Sequence, residues 1–157
     1  MPLSLDATDR AILQALQRGG NLPNTELADE LGLTPSTCLR RVKRLEDSGL
    51  IAGYVMLLDP DLAGIGATVY VSIKLKNQLN ASVTEFEQEI LDIPEVLECH
   101  LVLGQTDYIL KLAVRDLEHY RELMLGRLTQ IPSVATIESM MSLKRVKSTT
   151  VLPLLAT

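Results

Sequence analysis

Thr34-Pro-Ser-Thr-Cys-Leu-Arg-Arg-Val-Lys-Arg-Leu-Glu-Asp-Ser-Gly-Leu50 decides how the first third of this chain folds. Thr34 is a good N-cap, and Pro35 stands at the first helical position, where a missing N–H costs nothing. Gly49 can take the left-handed conformation that ends a helix. On a helical wheel Cys38, Leu39, Val42 and Leu45 form one apolar stripe. Ser36, Thr37, Arg40 and Arg44 point away from it, with Arg41 and Lys43 on the flanks. Four of the chain's 15 basic residues fall in this one helix. The stretch predicts a helix that buries one side and offers a cationic, hydrogen-bonding side to an anionic partner.

A charge run on a helix is usually only a solvated face, so the residues before it matter. Asn24 to Leu31 reads as a short helix with Leu27, Ala28 and Leu31 on one side, and Gly32-Leu33-Thr34 makes a tight turn. Helix, turn with Gly, helix with a polar outer face is the helix-turn-helix pattern. Its second helix enters the DNA major groove by its N-terminal part. Thr34 caps that end, Ser36, Thr37 and Arg40 fall nearest base edges, and Arg41, Lys43 and Arg44 are placed to neutralise phosphates. Upstream, Asp6 with Asp9 forms a capping box, and Ile12, Leu13 and Leu16 carry a helix to about Gln17. Downstream, Ile51 to Leu58 predicts an extended segment, either a wing strand or a connector, ended by Asp59-Pro60.

From Ala67 the hydrophobic period changes to two. Val69, Val71, Ile73 and Leu75 alternate with Tyr70, Ser72, Lys74 and Lys76, the mark of a half-buried strand. Ser82 and Glu85 have capping-box spacing, and Val83, Phe86 and Ile90 carry a helix to Asp92. Val96 to Leu103 reads as a strand, Gly104 to Asp107 as a turn, and Tyr108 to Val114 as a second alternating strand. Leu117, Tyr120, Met124 and Leu128 mark a further helix, and a last strand is expected to run to about Lys147. Each of these helices ends Ile-Pro-X-Val and feeds a strand. The order is βαββαβ, the ferredoxin-like arrangement. The fold class is therefore α+β, an N-terminal winged helix-turn-helix domain with a C-terminal ferredoxin-like domain. The expected divisions are 1–52 for DNA binding, 53–66 for a linker, and 67–157 for effector binding and oligomerisation. One sheet face is left without helices, and its partly apolar character predicts self-association.

Composition bounds the function. The net charge is −5 at neutral pH with a pI near 5.0, so DNA binding depends on the local cluster and on presenting it twice. The two cysteines, Cys38 and Cys99, give neither a disulfide framework nor a zinc spacing, which suits a reducing cytoplasm. The N-terminus lacks an apolar signal core, and no apolar run has the length of a membrane span. His100 and His119 are the only histidines. Cys99 and His100 are strand neighbours pointing to opposite faces, a poor nucleophile–base or metal pair. His119 is expected on a solvated helix surface. With no phosphate-loop or dinucleotide fingerprint, no catalytic residue, metal ligand or cofactor is assigned.

Gly104-Gln-Thr-Asp-Tyr108 is the second stretch of interest. Gly and Asp are ordinary turn residues. They also suit a ligand: Gly104 permits close backbone approach, Thr106 adds a hydroxyl and Asp107 a carboxylate, a combination fitted to a free amino acid. Around these residues the chain resembles the Lrp/AsnC, or feast/famine, transcriptional regulators. The resemblance is carried by Leu5-Asp-Ala-Thr-Asp-Arg-Ala-Ile-Leu, Leu31-Gly-Leu-Thr-Pro-Ser, Arg40-Arg-Val-Lys-Arg-Leu-Glu-Asp-Ser-Gly-Leu, Leu58-Asp-Pro, Glu98-Cys-His-Leu-Val-Leu-Gly-Gln-Thr-Asp-Tyr and Lys147-Ser-Thr-Thr-Val-Leu-Pro-Leu. It implies a cytoplasmic regulator that binds double-stranded DNA and assembles as a dimer into tetramers or octamers. It further implies an amino-acid or related effector held between dimers by Leu103, Gly104, Gln105, Thr106, Asp107 and Tyr108, with Ala135, Thr136 and Ser139 from the facing dimer. The alternative within the same architecture is a regulator that ignores small ligands or responds to metal or redox state, with Cys38 as the buried thiol in question.

Overall fold

The structure, a computed structural model, describes residues 4–20 and 22–154. The chain forms two compact units. One holds the described residues up to Leu57 together with the tail from Lys147, and the other runs from Leu58 to Val146.

The helical unit contains α1 (Ala7–Gly19), α2 (Asn24–Leu31) and α3 (Pro35–Asp47). The capping box at α1 forms as expected: Asp6 Oδ1 accepts from Asp9 N at 2.8 Å and Asp9 Oδ2 from Asp6 N at 3.1 Å. Gly32 turns the chain between α2 and α3 with φ 65° and ψ 32°, a conformation that costs a Cβ-bearing residue energy. That turn lets Leu33 N donate to Ala28 O at 2.9 Å and satisfies a helix-end carbonyl. Ile12, Leu13, Leu16, Leu27, Ala28, Cys38 and Leu45 form the core, and Leu154 of the tail packs against it.

Leu39 departs from expectation: it is 57% exposed. Cys38 and Leu45, seven residues apart, define the buried line, and Leu39 lies about 100° round the helix from Cys38. Ile51 to Leu58 is a connector: it pairs with none of the strands, and Val55 to Leu58 stay exposed.

The second unit is a four-stranded antiparallel sheet of β1 (Ala67–Leu75), β2 (Val96–Leu101), β3 (Tyr108–Val114) and β4 (Val134–Met141), in the order β2-β3-β1-β4. With α4 (Asn80–Leu91) and α5 (Leu117–Gly126) it makes the expected βαββαβ sequence. Alternation is realised in β1 and β3: Val69, Val71, Ile73, Leu75, Tyr108, Leu110, Leu112 and Val114 are buried with Phe86, Ile90, Tyr120 and Leu123 of the helices. The Phe86 and Tyr108 rings pack with centroids 4.6 Å apart. At Gly66 the chain passes so close to β3's end that an added Cβ would lie 2.3 Å from Arg115 O.

Two local expectations give way. Ser82 does not cap α4, which starts at Asn80 with Leu79 as N-cap; Ser82 Oγ instead donates to Asn77 Oδ1 at 2.8 Å. The matching spacing of Ser82 and Glu85 lies inside the helix. The last strand stops at Met141 rather than near Lys147, because β1, its only ladder partner among the described residues, runs out at Ala67. The packing also sets the tail from Lys147 with the helical unit, whereas the expected division kept 67–157 together.

Candidate DNA-reading helix and effector turn

The sequence of α3 sorts its side chains into three directions. Thr34 caps the helix, accepting from Thr37 N at 3.3 Å, and its hydroxyl donates to Thr37 Oγ1 at 2.8 Å. Ser36, Leu39, Arg40 and Lys43 are exposed and fall at spacings of three and four, so they make one outward stripe. Cys38 and Leu45 face the core, and burial raises the Cys38 thiol pKa.

Arg41 and Arg44 take the third direction, toward α1. Asp9 is buried, with its side chain 1% exposed, and it stands between them. Its Oδ1 accepts from Arg41 NH1 at 2.9 Å, and its Oδ2 accepts from Arg44 NH2. Arg41 NH1 also reaches Asp6 Oδ2 at 2.7 Å. The hydrogen bonds that Arg41 donates to Asp6 and then Asp9 raise its pKa, and the Asp6 carboxyl is lowered by Asp9's backbone N–H and then by Arg41. The phosphate-facing role expected of Arg41 and Arg44 therefore meets a competing partner inside the protein. Asp9 was legible as a capping residue; its pairing with α3 had no local signal.

The turn between β2 and β3 is braced against the end of β1. Asp107 N donates to Ile73 O at 2.9 Å, and Asp107 Oδ2 accepts from Leu75 N at 2.8 Å. Its other oxygen, Oδ1, accepts from Gln78 Nε2 at 2.8 Å. Thr106 Oγ1 donates to Ile73 O at 2.6 Å. Tyr108 is buried, and its hydroxyl donates to Glu87 Oε1 at 2.8 Å; burial and then Glu87 push its ionisation well above the ordinary tyrosine range. Leu103, Gly104 and Gln105 are exposed. Gly104 has φ 156°, and beyond its chain neighbours no described residue lies within 4 Å of where its Cβ would be.

Ala135, Thr136 and Ser139 stand on the opposite side of β1. Thr136 pairs with Lys74, and Ala135 is the extra residue where the register shifts between Lys74 and Leu75. Strands β3 and β4 flank β1, so the turn and Thr136 are separated by about 10 Å, two strand spacings. Ser139 is farther along β4, opposite Val71, with its hydroxyl bonded to Tyr120. One chain thus gathers Thr106, Asp107 and Gln78 but not the β4 residues. Gln78 was missed in the sequence because it belongs to the β1–α4 loop.

His119 is not the solvated residue expected. Its Nδ1 accepts from Arg115 N at 3.3 Å and its Nε2 lies 3.1 Å from Glu95 Oε1. Among the described residues no group of three or more His, Cys, Asp or Glu could hold a metal ion, and no helix is long and apolar enough to cross a membrane.

Comparison with known proteins places this geometry. The family model for the Lrp/AsnC ligand binding domain matches residues 68–152, and that for winged helix-turn-helix DNA-binding matches residues 5–52. The leucine-responsive regulatory protein of Haemophilus influenzae is 41% identical over 151 residues, covering 96% of this chain and 91% of that protein. Its Escherichia coli K12 counterpart is 38% identical over 143 residues, covering 91% and 87%. A transcriptional regulator of Neisseria meningitidis, solved with L-Met, superposes with a TM-score of 0.93 at 36% identity, covering 96% of this chain and 97% of that one. An AsnC family regulator of Agrobacterium tumefaciens gives 0.90 at 32% identity, covering 96% and 97%. These relatives are transcriptional regulators rather than enzymes. With a helix-turn-helix ahead of a ligand-binding sheet domain, the chain belongs to the Lrp/AsnC family of DNA-binding transcriptional regulators.

Proposed function

We propose that this regulator reads double-stranded DNA with α3 and adjusts its activity to a free amino acid bound at the β2–β3 turn. Ser36, Thr37, Leu39 and Arg40 face base edges, Leu39 being suited to a thymine methyl group; Lys43 meets phosphate. Thr34 holds the helix N-terminus in shape. The effector site is Leu103 to Tyr108 of one dimer, with Ala135, Thr136 and Ser139 contributed by the facing one. The observation that carries the effector reading is Asp107. Its carboxylate is fixed by Leu75 N and Gln78, three residues after Gly104, where an added Cβ would meet nothing within 4 Å. A fixed carboxylate is a partner for an ammonium group, and neighbouring backbone N–H groups for a carboxylate.

The proposed working form is a cytoplasmic homodimer that assembles to a tetramer or octamer. The sheet face away from the helices carries Tyr70, 39% exposed, paired with Met140, 56% exposed, on β4, and half-buried Ile109 and Ala113 on β3 on the other side of β1. Covering that apolar strip with a second copy pairs two reading helices for half-sites in DNA.

The test is thermal unfolding with a panel of amino acids, starting from L-methionine, which the Neisseria regulator holds, and L-leucine. A ligand at 100 times its Kd stabilises by about 2.7 kcal/mol. A raised midpoint that Asp107→Ala abolishes supports the reading; a flat panel, repeated with DNA present, overturns it in favour of a ligand-independent regulator.

A further inference from the structure

We infer that Asp9 is a positioning residue of the DNA-reading helix, and that it withholds Arg41 and Arg44 from the phosphates. The inference rests on α3 being the DNA-reading element. Four cations stand on α3, yet two of them are already spent. The carboxylate that holds them comes from α1 and has almost no access to water. Its two oxygens receive Arg41 NH1, Arg44 NH2 and Asp6 N, so its bonding is filled from within the unit.

The balance of exposure decides where the two guanidinium groups stay. A phosphate on DNA is bathed in water and counterions, so a cation brought to it gains mainly by counterion release. A buried carboxylate deprived of its cations has no such medium, and its uncompensated charge is strongly unfavourable. Arg41 is the more committed of the two. It bridges Asp6 and Asp9 with NH1, its side chain is 24% exposed, and its Nε is buried with no hydrogen-bond partner. Arg44 is 48% exposed, but the end of its fork is on Asp9. Among the described residues Arg40 and Lys43 enter no ion pair. The outward charge of α3 is therefore that of Arg40 and Lys43, and the Asp9 clasp sets the rotation of the helix that presents them.

The experiment is the salt dependence of DNA affinity, which counts phosphates neutralised. The probe is a fluorescein-labelled duplex of mixed sequence, titrated with the full chain between about 50 and 200 mM salt. Lys43→Ala should lower the slope of log affinity against log salt by about 0.9 for each helix engaged. Arg41→Gln and Arg44→Gln should leave the wild-type slope in place while lowering the thermal midpoint. Asp9→Asn, which releases both arginines, should steepen the slope by up to about 0.9 for each one freed. A merely structural Asp9 would move the midpoint and not the slope. If Arg44→Gln or Arg41→Gln flattens the slope as much as Lys43→Ala does, that arginine is a phosphate ligand and the inference is overturned; this arm holds even if Asp9→Asn does not fold. Failure of the underlying reading looks different, because Arg40→Ala and Lys43→Ala would then both leave binding unchanged.

Discussion

Gln17 treats Leu152 as a neighbouring strand would: its Oε1 accepts from Leu152 N at 2.6 Å and its Nε2 donates to Leu152 O at 3.2 Å. A side-chain amide presents a carbonyl acceptor beside an NH2 donor, so it can hold the N–H and C=O of one extended residue by both of its polar atoms. With Leu154 packed into the helical core, this contact secures the tail. Gln17→Ala should cost about 1 kcal/mol, the usual net value of exposed hydrogen bonds. Amide exchange at Val151 and Leu152 should also become faster. Unchanged protection there would show that Leu154 alone holds the tail.

Asp107 braces the end of β1 and, in the proposed function, holds the effector; a pair of variants separates the two. Asp107→Ala removes the acceptor for Leu75 N and should destabilise the sheet unit by about 1–3 kcal/mol, since a partly buried donor loses its partner. Asp107→Asn keeps a carbonyl oxygen for that donor and loses the charge. It should unfold closer to wild type yet show no stabilisation by an amino-acid effector. An Asn variant that still responds fully would remove the carboxylate from ligand binding.

Gly66 and Gly32 should respond differently to alanine. At Gly32 the added methyl meets nothing within 4 Å, and only the left-handed backbone resists it, at about 1–2 kcal/mol. At Gly66 the methyl would stand 2.3 Å from a backbone carbonyl, which cannot swing aside as a side chain does. Gly66→Ala should therefore lower the chemical-denaturation midpoint more than Gly32→Ala. The reverse order would mean that the start of β1 shifts freely.

Acid should loosen the contact between α1 and α3 through Asp6. Its carboxyl pKa is held below the ordinary 3.8, first by the Asp9 N–H and then by Arg41. A group with a depressed folded pKa stabilises the fold above its unfolded pKa and loses that contribution as pH falls through the folded value. Stability should fall below about pH 4 in wild type and fall less steeply in Asp6→Asn. Parallel acid limbs for the two proteins would show that the Asp6 pairings do not respond to folding.

The elements that periodicity specifies were legible in the residues. Val69 to Leu75 and Tyr108 to Val114 alternate because each central strand has one helix-covered face, and Pro35 with Thr34 marks the start of α3. What stayed hidden depends on partners distant in sequence. Leu39 looks like a core residue until the buried line is fixed by Cys38 and Leu45. Asp9 looks like a helix cap until α3 is laid beside it. Ser82 and Glu85 match a capping pattern that Asn77 displaces by setting the loop before α4. Lys147 continues an apparently extended stretch, but a strand ends where its ladder partner does. At the candidate effector turn, Thr106 and Asp107 were recognisable by chemistry, whereas their attachment to Ile73 and Leu75, and Gln78 beside them, emerge only from the pairing of β1 with β3.

The chain leaves the helical unit after Leu57 and returns to it at Lys147, so the sheet unit is spliced into the helical one by both of its ends. Genetically it behaves as an insert. A stop codon after Val146 would spare every strand yet strip Leu152 and Leu154 from the other unit, so a truncation that looks like damage to the sensor would be damage to the DNA reader. Mechanically, two leashes act where a single linker would give one. Tension applied to the sheet unit pulls at the connector that follows α3 and at the tail held on α1, the two helices whose alignment Asp9 maintains.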